Sequence, residues 1–227
     1  MISIHVTYDC HETRDCHKTS LTMNAMLLVA LAFVPIIASQ THVPARPTGY
    51  TLQQGSTIVL EAYYDLLCPD SKASWPTLQK LMTQYKSQLT VILHLFPLPF
   101  HHDAFFATQA AETVIATHPS AYKDFVSLMF EQQEKMKAGA VNMTEPQVMN
   151  LIAQIVESGK LGITAKEIAS GFTNDSITET AILAWKTASQ RGINDTPSFV
   201  VNRILVAEAE NFDMEDWVKF IENLLKK

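Results

Sequence analysis

The 227-residue chain has little cysteine: Cys10, Cys16 and Cys68 are all there is, and no two stand as C-x-x-C. That excludes a small scaffold stapled by several disulfides and a cysteine-rich structural metal site. Glycine is scarce as well, at 7 residues beside 10 prolines, which excludes a collagen-like or low-complexity chain. An excess of positive charge is missing: 17 Lys and Arg face 23 Asp and Glu, for a net −6. Nothing therefore attracts the chain generally to a phosphate backbone, and nucleic acid is not an expected partner. Histidines at H-x-x-x-H spacing, a G-x-S-x-G elbow and glycine-rich phosphate loops are absent too, so no metal site is expected. With 47% hydrophobic and 18% charged residues, what remains is a chain able to bury a sizeable core.

The apolar run Met26–Ala38 (MLLVALAFVPIIA) falls short of the ~20 residues of a membrane span but suits the hydrophobic part of a signal peptide. Residues 1–38 are therefore expected to be a signal peptide, with 1–22 an upstream extension if translation starts at Met23 or Met26. Ile36 and Ile37 fit the cleavage site imperfectly, and an uncleaved anchor or a buried helix are the competing readings. Cleavage would leave Cys68 as the only thiol and no stable membrane span. The expected location is secreted or in the lumen of the endomembrane system. Sequons at Asn142, Asn174 and Asn194 agree weakly with that route.

Residues 39–55, broken by Pro44, Pro47 and Gly49, are expected to be a linker. Thr57–Tyr64 is β-branched and aromatic, hence a strand. Over 71–88, Trp75, Leu78, Leu81, Met82 and Tyr85 recur at helical spacing, and Thr90–Phe96 is a second, buried strand. Strand, helix and strand within about forty residues make a βαβ unit with parallel strands. Helical patterns then occupy 103–136, interrupted at His118-Pro119, then 145–157 and 177–190. Strands return at Ser198–Val201 and Ile204–Val206, and a helix over 213–225 closes the chain behind Asp213 and Asp216.

Cys68 falls between the first strand and the first helix, in Asp65-Leu66-Leu67-Cys68-Pro69-Asp70-Ser71. Pro69 suits the first helical position, which makes Cys68 the N-cap. Free N–H groups and the helix dipole there favour a thiolate, and Ser71 lies over the same turn, able to donate its hydroxyl to the sulfur. Asp70 opposes a second negative charge, so the net effect is left unsigned.

This pattern resembles the thioredoxin superfamily, in particular its DsbA-like branch. The resemblance rests on Cys68-Pro69-Asp70-Ser71 after the first core strand, Pro76 where the family's active-site helix is kinked, the helical block between the two halves, and Thr196-Pro197-Ser198-Phe199 in the place of the cis-proline loop. It implies an α/β, thioredoxin-like fold with a βαβ…ββα core split into 56–100 and 192–227 by an inserted helical domain, 101–191. It further implies Cys68 as nucleophile, Ser71 as its stabiliser and Thr196 and Pro197 as the substrate-docking loop; it brings His101 and His102 near the active-site face, where one imidazole could stabilise the thiolate, although both read more simply as polar residues opening the helical insertion. The family often places an acid behind its cysteine, which points to Asp65, and period-two alternation puts Glu61 and Tyr63 on one strand face with it. The departure is Ser71, where family oxidoreductases carry a second cysteine. Dithiol chemistry is thereby disfavoured, and monothiol exchange with a thiol- or disulfide-bearing protein or peptide is the leading expectation. No cofactor is implied, although glutathione is a fitting co-substrate. Two alternatives stand: a non-redox peptide-binding or chaperone-like module with a degenerate site, and a glutathione-binding transferase of the kappa-type branch, which shares the insertion and can use serine here.

Overall fold

The computed structural model describes residues 47–140 and 142–226. The expected signal peptide, the first part of the linker, Cys10 and Cys16 lie outside them. A five-stranded sheet runs in the order β1-β3-β2-β4-β5, with β1 Tyr50–Gln53, β2 Ile58–Tyr64, β3 Leu89–Leu95, β4 Ser198–Val201 and β5 Ile204–Leu205. The first of these corrects the linker expectation, because residues 50–53 pair antiparallel with β3 from within 39–55. β2 and β3 are parallel along their whole length, from Ile58↔Leu89 to Tyr64↔Leu95, while β4 is antiparallel to β2. Such a parallel pair needs a crossover, and helix α1 (Pro69–Gln84) supplies it. The βαβ…ββα core is thus the fold of this chain.

Alternation along β2 sets the two faces of the sheet. Leu60, Ala62 and Tyr64 join Val91, Leu93 and Leu95 of β3 in the main core, against Trp75, Leu78 and Leu81 of α1 and Trp217 and Ile221 of α8 (Met214–Leu225). Each Leu or Phe buried there is worth ~1.5–3 kcal/mol over its exposed state. Asp213 caps α8 by accepting the N–H groups of Glu215 and Asp216 at 2.8 and 3.0 Å. Tyr63 lies on the opposite face, in a smaller cluster with Phe96, Leu98, Ala188, Ile193 and Val200.

Between β3 and β4 come α2 (Ala104–Thr117), a 3-10 turn at Pro119–Ala121, α3 (Tyr122–Glu131), α4 (Gln133–Ala140), α5 (Glu145–Ser158), α6 (Ala165–Phe172) and α7 (Asp175–Gln190). The break at His118-Pro119 matches expectation; α6 is an addition, since its eight residues are too few for a clear period. These helices are not a separate body. Phe130 of α3 packs on Tyr64 of the sheet and on Trp75 of α1, at ring distances of 6.1 and 6.0 Å. One continuous hydrophobic cluster embraces sheet and insertion. Along α2, Ala107, Ala110 and Ala111 are fully buried, and their small size lets neighbouring helices approach closely.

Candidate active site

Cys68 ends the segment that leaves β2 and caps α1 with extended backbone (φ −75°, ψ 125°). Pro69 stands just inside the helix, where no N–H is needed. The Cys68 side chain makes no cap hydrogen bond; its Sγ instead donates to the carbonyl oxygen of Thr196 at 3.1 Å. That carbonyl belongs to the peptide entering a cis Thr196–Pro197 bond at the head of β4. Residues 128 positions apart thus meet at the sulfur. Cys68 as a whole is only 3% exposed. Thr196 is occupied on its other side too, its N–H donating to Asp195 Oδ1 at 2.8 Å.

Ser71 is fully buried, yet it serves the backbone rather than the sulfur: its Oγ accepts the Asp65 N–H at 3.3 Å. Among the described residues no hydrogen bond joins Ser71 to Cys68, which corrects the expected hydroxyl-to-sulfur donation. Asp70 is exposed in the first turn of α1. Pro76 lies inside the same helix on its exposed side. It removes one helical donor without ending the helix.

Asp65 is the hub beneath this turn. Its carboxylate accepts the N–H of Leu67 at 2.7 Å, the N–H of Leu98 at 2.8 Å and His101 Nδ1 at 2.7 Å. Its own carbonyl accepts the Cys68 N–H at 3.1 Å. Burial pushes the Asp65 carboxyl above its ordinary range, against the pull of those two backbone donors and His101. His101 therefore bears on the site through Asp65. His102 pairs with Asp103 at 2.9 Å with most of its side chain in solvent, and among the described residues neither imidazole hydrogen-bonds the thiol.

Two features escaped the sequence reading. Gln133, at the start of α4, is fully buried and donates its amide to the carbonyls of Leu66 (3.0 Å) and Cys68 (2.9 Å). A signal existed, because Gln133 continues the apolar stripe of Val126, Met129 and Phe130 with a polar side chain. On the other face of the sheet, Glu61 gathers Arg191, His94 and Tyr63. Arg191 Nη2 reaches Glu61 Oε1 at 2.9 Å while its Nη1 bonds Glu61 Oε2 and the Tyr63 hydroxyl, and His94 Nε2 lies 3.0 Å from Glu61 Oε2. Tyr63 stacks on His94, with ring centroids 4.4 Å apart. Burial raises the Glu61 carboxyl, but hydrogen bonds from His94 and Arg191 outweigh it and hold the group at about 2. Burial, then the charge of Glu61, pushes the Tyr63 phenol up to about 12. Only the pairing of Glu61 with Tyr63 on one face could be read from alternation; His94 and Arg191 are brought there by β3 and by the end of α7.

A thioredoxin family model matches residues 53–223, from the edge strand through most of the last helix. The chain belongs to the thioredoxin family. Solved structures of DsbA-like form resemble it throughout the core and insertion. Oxidised BdbD from Bacillus subtilis superposes with a TM-score of 0.64 at 17% identity, covering 79% of this chain and 94% of that one. The catalytic domain of ScsC from Proteus mirabilis gives 0.60 at 23% identity, covering 79% and 90%. The thiol-disulfide exchange protein alpha-DsbA2 from Wolbachia pipientis gives 0.61 at 17% identity, covering 78% and 87%. A comparison with curated protein sequences finds no match. In this thioredoxin-family chain, then, the position after β2 carries a single thiol, and the helix turn that follows offers serine.

Proposed function

We propose that the chain exchanges thiols and disulfides through Cys68 alone. The observation that carries this reading is the Cys68 thiol at the N-terminus of α1, 3.1 Å from the Thr196 carbonyl beside Pro197. After loss of its proton, the Cys68 sulfur attacks one sulfur of a substrate disulfide. A Cys68–substrate disulfide forms, and the other substrate sulfur leaves with the bonding electron pair and takes up a proton. A second thiolate then attacks the mixed disulfide and releases Cys68. The two steps reshuffle substrate disulfides with no net oxidation. Ser71 cannot resolve the intermediate, so the second thiolate comes from the substrate or from glutathione as co-substrate.

Docking and attack are coupled in this scheme. An extended peptide pairing with Thr196 competes with the Cys68 S–H for the carbonyl and with Asp195 for the N–H. Ionisation of Cys68 removes the first competitor. The apolar run Met26–Ala38 supports a place for this chemistry outside the cell or in the endomembrane lumen, where disulfides persist.

Burial of Cys68 to 3% exposure supports a second reading, a peptide-binding module that does no redox chemistry. The kappa-type transferase draws less support, because Ser71 Oγ is buried and engaged with the Asp65 N–H. The deciding experiment uses the full chain with Cys10→Ser and Cys16→Ser. On exposure to oxidised glutathione, intact mass should show one glutathione adduct, absent in Cys68→Ala, and the chain should accelerate the reshuffling of a scrambled multi-disulfide protein. Peptide binding that survives Cys68→Ala, with neither adduct nor reshuffling, would leave the binding module in its place.

A further inference from the structure

We propose that Gln133 is a positioning residue through which the inserted helices hold the Cys68 thiol against Thr196. This rests on the exchange reading only for its consequence on rate; the geometry stands by itself. Gln133 is fully buried at the start of α4, and its amide hydrogens go to Leu66 O at 3.0 Å and Cys68 O at 2.9 Å. Rotating the amide by half a turn would set its oxygen against both carbonyls, so the donor assignment is required by chemistry. Cys68 O also accepts the Lys72 N–H at 3.1 Å, and the Cys68 N–H is tied to Asp65 O at 3.1 Å. The backbone is thereby pinned on both sides of the Cys68 Cα, in the position from which Sγ reaches Thr196 O.

The position carries a cost. Gln133 Oε1 is buried with no hydrogen-bond partner among the described residues. Its neighbours on the same stripe, Met129, Phe130 and Met136, are apolar and buried. Methionine at 133 would fill similar space without the unpartnered Oε1, but it would take the Gln133 donor from Leu66 O and one of two donors from Cys68 O. What glutamine provides is two donors aimed at the carbonyls flanking the thiol.

Gln109 is the matched control. It is buried in α2, donates to Thr178 Oγ1 at 2.9 Å, and leaves its own Oε1 unpartnered, yet it makes no hydrogen bond to the Cys68 turn. In the full chain with Cys10→Ser and Cys16→Ser, Cys68 gives the single S–H infrared band. Gln133→Met should move that band to the position of an unbonded thiol and, because the S–H···O=C bond favours the neutral form, speed mixed-disulfide formation with oxidised glutathione by on the order of tenfold, about the worth of one net hydrogen bond. Gln109→Met should leave band and rate unchanged. If Gln133→Met does not fold, Gln133→Asn retains the donors but is too short for both carbonyls, and it should shift the band part of the way. A wild-type band in whichever of these variants folds, or an equal shift in Gln109→Met, overturns the proposal. A wild-type chain inert to oxidised glutathione would sink the exchange reading while the band still decides this one.

Discussion

The sulfur of Cys68 and the carbonyl oxygen of Thr196 are 3.1 Å apart, although 128 positions separate them in the chain. β2 delivers one partner and β4 the other, from adjacent antiparallel strands of the sheet. Because the contact uses a backbone oxygen, its strength depends on where Thr196 sits rather than on the Thr196 side chain, whose hydroxyl is buried without a partner among the described residues.

Restoring the family's second thiol tests what Ser71 withholds. Ser71 occupies the first turn of α1, three residues after Cys68, and is fully buried. Ser71→Cys should close an intramolecular disulfide in oxidised glutathione and give the chain a measurable dithiol reduction potential, with intact mass and thiol trapping as the readout. Two thiols that remain free under those conditions would mean that the turn does not present them to one another.

The carboxyl of Glu61 should mark the acid limb of stability. Its ordinary value of 4.5 falls to about 2 in the fold. A depressed carboxyl contributes stability that is complete above the unfolded value and is lost as pH falls from about 4.5 through about 2. The 2.5-unit difference, discounted because the Arg191 side chain is 35% exposed, amounts to roughly 2–3 kcal/mol. Glu61→Gln should remove that dependence and lower stability at pH 7 by a comparable amount. Urea unfolding at pH 7 and at pH 3 measures both, and parallel pH slopes for the two chains would contradict the assignment.

Asp65 should show the opposite sign. Its folded value is raised, so its favourable contribution is complete below the unfolded value of 3.8 and is lost as pH rises through the folded one. Asp65→Ala strands the N–H groups of Leu67 and Leu98, a cost of about 2–5 kcal/mol. The loss should be greater at pH 4 than at pH 7, since at neutral pH the variant also escapes a buried charge. Denaturant midpoints at both pH values check the order.

Gly171 allows α6 to close on α2. A Cβ there would lie 1.9 Å from Thr113 Oγ1 and 2.9 Å from Thr113 Cβ. Gly171→Ala should therefore cost about 1–3 kcal/mol by overpacking. Thr113→Ala removes the nearest atom, and the double variant should recover part of the loss in a thermodynamic cycle. Purely additive costs would show that the helices separate rather than clash.

The sequence made most of the core visible, for reasons that are local. Trp75, Leu78, Leu81 and Met82 announce α1 because one helical face must be apolar to be buried. Cys68 was found as an N-cap because Pro69 suits the position that follows it. Elements at the margin of a period were missed: Tyr50–Gln53 is four residues beside a proline-rich stretch, and it becomes a strand only because β3 offers it an open edge.

What the sequence by itself determined is thus the order of strands and helices, the lone thiol and its place at a helix start, since these follow from neighbouring side chains. Tertiary structure decided the company of that thiol. Ser71 reads as its donor because both lie on one turn, but the Asp65 N–H is the group its Oγ accepts. His101 was drawn to Asp65, and Gln133 came to Cys68 from 65 positions away. Glu61, His94 and Arg191 meet only when β2, β3 and the end of α7 are assembled. Hydrogen bonds and ion pairs of this kind act over about 3 Å, and which groups come within that distance is settled by the packing of whole elements, not by spacing along the chain.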